Sequence, residues 1–166
     1  MALITKIEKQ KNSKRLSIYL DGVYGFGMGL EDFIKSKIKV GKHLSNKELE
    51  VLIQKTSYNN ILDKLLRFCT IRPRSKKEVV DYLKRKKVPK SFEKRLFIRL
   101  NHLELLDDCK FTQWWIDQRI TFRQDSKIAI QTELLQKGIS KEIVEDVFAK
   151  SKYSETDSIK KLIKKK

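Results

Sequence analysis

The chain has 166 residues, 40% of them hydrophobic and 36% charged, with a formal net charge of +17. That is apolar enough to fill one core or two small ones, but no run approaches the ~20 apolar residues of a membrane span. Lys6, Glu8 and Lys9 interrupt the first apolar stretch, so no signal peptide is expected. A surface this basic points to a polyanionic partner such as nucleic acid, or to an anionic membrane surface.

Residues 3–10 and 16–20 alternate between apolar and polar side chains, and Asp21-Gly22 is a tight-turn signal. In Val23–Leu30 glycines alternate with larger residues, which puts Tyr24, Phe26, Met28 and Leu30 on one face of a strand. A small three-stranded antiparallel sheet is therefore expected. Helices follow over about 31–37 and 45–55, the second opened by a capping box of Ser45 and Glu48. From Tyr58, the stripe Ile61, Leu62, Leu65, Leu66 and Cys69 has helical spacing. Pro73 breaks it, and Ser75 with Glu78 forms a second capping box before a helix carrying Val79, Val80 and Leu83. Pro89 precedes a helix over about 91–104, and further helices are expected at about 109–121, 127–137 and 141–150. Gly138 is a helix stop and Ser140 an N-cap.

Shifting the chain by 51 residues superposes it on itself. Ser75-Lys76 falls on Ser126-Lys127, Val79 on Ile130, Leu83 on Leu134, Lys86 on Lys137, Val88 on Ile139, Leu96 on Val147 and Phe97 on Phe148. A helical module is thus used more than once, an arrangement that offers an extended surface to a long partner. The expected class is mainly α: an N-terminal sheet-and-helix segment at 1–57, three-helix modules at 58–108 and 109–150, and a basic tail at 151–166 that reads as the start of a truncated third module. The first module carries net charge +7 and the second +1, so the first is the electrostatically active one.

Three stretches carry a family pattern: Arg72-Pro-Arg-Ser-Lys-Lys-Glu followed by Leu83 and Lys86, Leu105-Leu-Asp-Asp-Cys-Lys-Phe111 followed by Trp115 and Arg119, and Leu134-Leu-Gln-Lys-Gly-Ile139. In this order they resemble the RecX family of RecA regulators over residues 58–150. Glu104-Leu105 stand where that pattern prefers Gly-Tyr, and Lys87 replaces the Gly of the first Lys-Gly. The resemblance implies a non-enzymatic, cytoplasmic, monomeric protein with no cofactor. Its partners would be the RecA filament and single-stranded DNA, with duplex DNA as an alternative, and it would inhibit filament extension, ATPase and strand exchange. The competing reading is a stand-alone DNA-binding protein of helix-turn-helix-like modules.

The residues expected to meet partner or DNA are Arg72, Arg74, Lys76, Lys77, Lys84, Arg85, Lys86 and Lys87 in the first module, and Trp114, Arg119, Arg123 and Lys127 in the second. The alternative for the charges is a solvated helix face. Trp115 is expected in the core and Trp114 at its rim, with Arg119 stacked on Trp115 or paired with Asp107 or Asp108. Asp107-Asp108 reads as helix capping rather than a metal or acid–base pair. Gly25-x-Gly27-x-Gly29 lacks the Lys-Ser/Thr of a phosphate loop. His43 and His102 are isolated, and Cys69 and Cys109 read as buried thiols. Nothing in this set forms a nucleophile–base or metal constellation, so no catalytic residue is expected.

Overall fold

The computed structural model describes residues 1–11, 14–123 and 125–151, so the tail from residue 152 lies outside the described residues. The chain forms two compact units, Met1–Leu65 and Leu66 onward.

In the first unit, β1 (Ala2–Lys9), β2 (Arg15–Leu20) and β3 (Val23–Gly29) are the three expected antiparallel strands. A further two-residue strand, β4 (His43–Leu44), pairs with Ala2 and Leu3 and makes the sheet four-stranded in the order β3-β2-β1-β4. The hairpin between β2 and β3 turns at Asp21-Gly22, both at positive φ (49° and 85°), as the right-handed twist of two paired strands demands of a two-residue loop. Phe26 and Met28 face the core, but Tyr24 is exposed. The single expected stripe breaks because the register shifts between Ile18↔Phe26 and Tyr19↔Tyr24, leaving Gly25 as an extra residue. Ile4, Leu16, Ile18, Phe26, Met28, Ile38 and Leu44 form the buried cluster, with Phe33 of helix α1 (Leu30–Ser36) packed against it.

The helices expected at 45–55 and from Tyr58 are one helix, α2 (Asn46–Ile71). No Pro or Gly interrupts that stretch, so one helix runs through both expected segments. Residue 57 therefore lies inside a helix, and the division of the chain into two units falls between Leu65 and Leu66.

The second unit contains α3 (Lys76–Arg85), α4 (Lys90–His102), α5 (Asp108–Gln118), α6 (Lys127–Gln136) and α7 (Lys141–Lys150). The helix expected to reach residue 121 instead ends at Gln118 and continues as a π-helical turn, Arg119–Arg123. Caps repeat at the same 51-residue offset as the sequence. Ser75 and Ser126 each accept from the amide three residues on, at 3.2 and 3.3 Å. Val88 N–H donates to Leu83 C=O and Ile139 N–H to Leu134 C=O, at 3.0 and 3.1 Å, closing both helices alike. The left-handed residue of that closure is Gly138 at φ 78° in one module and Lys87 at φ 51° in the other. Glu104, which likewise stands where the family pattern prefers Gly, also has positive φ, 53°. Both non-glycine replacements thus stand where a Cβ is disfavoured. Val79, Leu83, Leu96 and Leu100 are fully buried in the first module, and Phe111, Ile116, Ile130 and Leu134 in the second.

Candidate partner-binding interface

The N-terminus of α3 faces the C-terminus of α6, and the residues at that junction are held by one connected network. Ser75 caps its own helix and donates its hydroxyl to the Lys137 carbonyl at 2.8 Å. Glu78 completes the capping box, accepts two hydrogen bonds from the Arg72 guanidinium (2.9 and 3.1 Å) and one from the Lys137 ammonium (2.9 Å). Burial would raise the Glu78 carboxyl, but these donors outweigh it and hold its pKa below the usual carboxylate value. Lys77 donates to the Gln136 carbonyl at 2.8 Å, an orphan acceptor at the end of α6. Asp107 caps α5 through Cys109 and Lys110 N–H, whereas Asp108 accepts from Lys76 N–H and so caps α3.

The network continues into the second module. Lys137 Nζ lies 4.3 Å from the Trp115 ring centroid and the Arg119 guanidinium carbon 4.2 Å from it. Trp115 is in the core, as expected, with its indole N–H on Glu133 at 2.8 Å. Arg119 stacks on Trp115, as one of its expected alternatives had it. Its acidic partners, however, are Glu133 (2.6 Å) and Asp125 (3.7 Å), not Asp107 or Asp108, which are occupied by helix caps. Burial would raise the Glu133 carboxyl too, but Arg119 and the Trp115 indole bring it below its ordinary value.

The sequence-named residues therefore divide. Arg72 is bound to Glu78 and lies 5.5 Å from the Trp114 ring, and Trp114 itself is half-buried against the second module's core. Arg74 is laid over Phe68 at 3.8 Å and donates to the Phe68 carbonyl. Burial first, then Arg72, lower its pKa. Lys77 and Arg119 hold internal partners as described. Arg123 is exposed beside Asp125 (3.6 Å), and exposed Lys127 lies 5.5 Å from the Phe148 ring. Lys84, Arg85, Lys86 and Lys87 are all exposed at the end of α3. Arg85 and Lys86 pass the Tyr82 ring at 5.8 and 6.0 Å. Among the described residues no carboxylate lies within 4 Å of these four.

Sequence reasoning missed Glu78 as the centre of the junction, because a capping box fully explains a Glu at that spacing. It also took both thiols as buried. Cys69 is, and burial raises its pKa to about 11, but Cys109 in the first turn of α5 is exposed. Among the described residues no group of three or more His, Cys, Asp or Glu is placed to hold a metal, and no helix is long and apolar enough to cross a membrane.

Comparison with known proteins adds identity to this geometry. The chain matches the family models for the regulatory protein RecX N-terminal domain at residues 2–45, the first RecX three-helix domain at 62–91 and the second at 107–147. It is 28% identical over 149 residues to regulatory protein RecX of Lactobacillus delbrueckii subsp. bulgaricus, covering 90% of this chain and 55% of that protein. With the Clostridium tetani protein of the same name the figures are 28% over 165 residues, 98% of this chain and 76% of the relative. The chain thus spans about half the length of the Lactobacillus relative. A crystal structure of regulatory protein RecX is similar with a TM-score of 0.66 and 25% identity, covering 90% of this chain and 74% of that one.

Proposed function

The chain belongs to the RecX family of regulatory proteins, and on that premise we propose that it is a non-enzymatic regulator of the RecA recombinase. In this reading it binds the RecA–single-stranded DNA filament and inhibits its extension, ATPase and strand exchange. The observation that carries the reading is the exposed Lys84–Lys87 cluster, four cations with no carboxylate partner among the described residues, carried on a helix whose opposite end is locked into the second module. Like charges this close repel one another, and a filament that presents phosphates or acidic loops relieves that repulsion. The second module, nearly neutral and tied to the first through Lys137 and Glu78, serves as the rigid support.

The test is a titration of this protein into RecA's single-stranded-DNA-dependent ATPase, with a DNA-only binding control. Inhibition below parity with RecA, with weak binding to DNA alone, is the expected result. No inhibition, together with tight salt-sensitive duplex binding, would replace this reading with the stand-alone DNA-binding protein.

A further inference from the structure

The end of α1, β4 and the first three turns of α2 enclose a groove of about 470 Å³ in the first unit, within the size range of ligand sites. Ile38, Leu44, Leu52 and Val51 supply its apolar surface, and Val51 is 61% exposed. Lys42, Lys47 and Lys55 stand around it. The polar groups of the lining are already engaged: Ser36 donates to the Phe33 carbonyl, and Glu48 accepts from Ser45 N–H and Oγ, both at 2.8 Å. Among the described residues the three lysines meet no carboxylate within 4 Å.

The arrangement along α2 has a period. Lys47, Val51 and Lys55 are spaced i, i+4, i+8, so they form one ridge with an apolar side chain between two cations. Successive members lie ~6 Å apart along the helix axis. In an extended peptide, alternate residues share a face and are ~6.6 Å apart. The ridge therefore matches a segment reading acid-x-apolar-x-acid, whose two carboxylates meet Lys47 and Lys55 while its central side chain covers Val51. Lys42 adds a third cation to the lining.

We infer that this groove docks an extended acidic protein segment with an apolar residue between two carboxylates spaced two residues to either side. Charge complementarity argues against a second copy of this chain, which carries +17. The lining has no aromatic side chain on which a base would stack, unlike the usual platform for single-stranded nucleic acid. The inference does not rest on the filament reading, since it concerns a different surface.

The experiment uses two labelled synthetic peptides on the full chain, followed by anisotropy and by amide chemical-shift mapping. One carries Glu-Ser-Leu-Ser-Glu. The other, Glu-Glu-Leu-Ser-Ser, has the same composition and charge in the wrong order. The first should bind with shifts at Lys47–Lys55, and the second roughly tenfold more weakly. Val51→Asp, at an exposed position, should abolish the difference. Lys47→Glu/Lys55→Glu should reject the acidic peptide and accept Lys-Ser-Leu-Ser-Lys in its place. Equal binding of the two acidic peptides, undiminished binding to Val51→Asp, or displacement from the groove by a single-stranded oligonucleotide would overturn the inference.

Discussion

The two three-helix modules share their helix caps and stops and differ in what holds them. At the 51-residue offset, Phe68, Arg74 and Tyr82 of the first correspond to Arg119, Asp125 and Glu133 of the second. In the first module Phe68 stacks on Tyr82, ring centroids 4.3 Å apart, with the Arg74 guanidinium over Phe68. In the second the same three positions are an ion network, Arg119 between Glu133 and Asp125. Lys86 and Lys137 are likewise one position with two fates: Lys137 is tied to Glu78 and lies over Trp115, while Lys86 is exposed at the end of α3. A repeat thus conserves caps and apolar layers while its polar positions are reassigned. The second module ties Arg119 to carboxylates of its own and Lys137 to Glu78 of the first, whereas the first packs through aromatic rings and leaves Lys84, Arg85, Lys86 and Lys87 on its surface.

The comparison breaks most easily at Glu78, which has no acidic counterpart because the equivalent residue is Ala129. Glu78→Ala strands Arg72 and Lys137 in a half-buried site and should cost about 3 kcal/mol; Ala129→Ser, its counterpart change, should be near neutral. Thermal unfolding measures both. The pH dependence carries the same information. The carboxyls of Glu78 and Glu133 are held below their ordinary values in the folded state. Their contribution is therefore complete above the unfolded pKa of ~4.3 and is lost as pH falls through the lower folded values. The melting temperature should hold at neutral pH and drop on acidification below that range, less so in Glu78→Ala.

The left-handed helix stops give effects of opposite sign. A Cβ on Gly138 would lie 2.8 Å from the Cβ of Lys77 at φ 78°. Gly138→Ala should therefore destabilise by about 2 kcal/mol, strain and contact together. At the equivalent position Lys87→Gly relieves strain and should stabilise by up to ~1 kcal/mol, reduced by the freedom glycine gains in the unfolded chain. Between these in size is the polar swap. Arg119→Phe alone leaves Glu133 facing a ring, and Arg119→Phe/Glu133→Tyr should recover about 1 kcal/mol of that loss by recreating the first module's stack. A double variant no better than the single one would show that the two arrangements are not interchangeable.

Much of this was legible along the chain. The offset of 51, the capping boxes at Ser45 and Ser75, and the stop at Gly138 are local signals, each set by residues within a few positions of one another. Other features were not. The fourth strand is two residues long and exists because β1 offers it an edge. The Gly25 bulge, which turns Tyr24 outward, depends on register with β2. That Lys77 and Lys137 are tied was hidden because their partners lie 59 residues away, whereas Arg72 and Arg74 are tied only six residues off. One signal could have found part of it. Phe68 and Tyr82 change together to Arg119 and Glu133 across the repeat, a paired replacement that marks spatial contact.

The central claim is that the basic residues of the first module divide into those that hold the fold and those that meet the partner. The direct measurement is inhibition of RecA's single-stranded-DNA-dependent ATPase by the unaltered protein and by Lys84→Glu/Lys86→Glu/Lys87→Glu, with melting temperatures taken alongside. The account predicts inhibition by the first, and at least a tenfold higher half-inhibitory concentration for the variant at little changed melting temperature, an expectation on the order of one lost charge contact or more. Equal inhibition by the two proteins, or none by either, would contradict it.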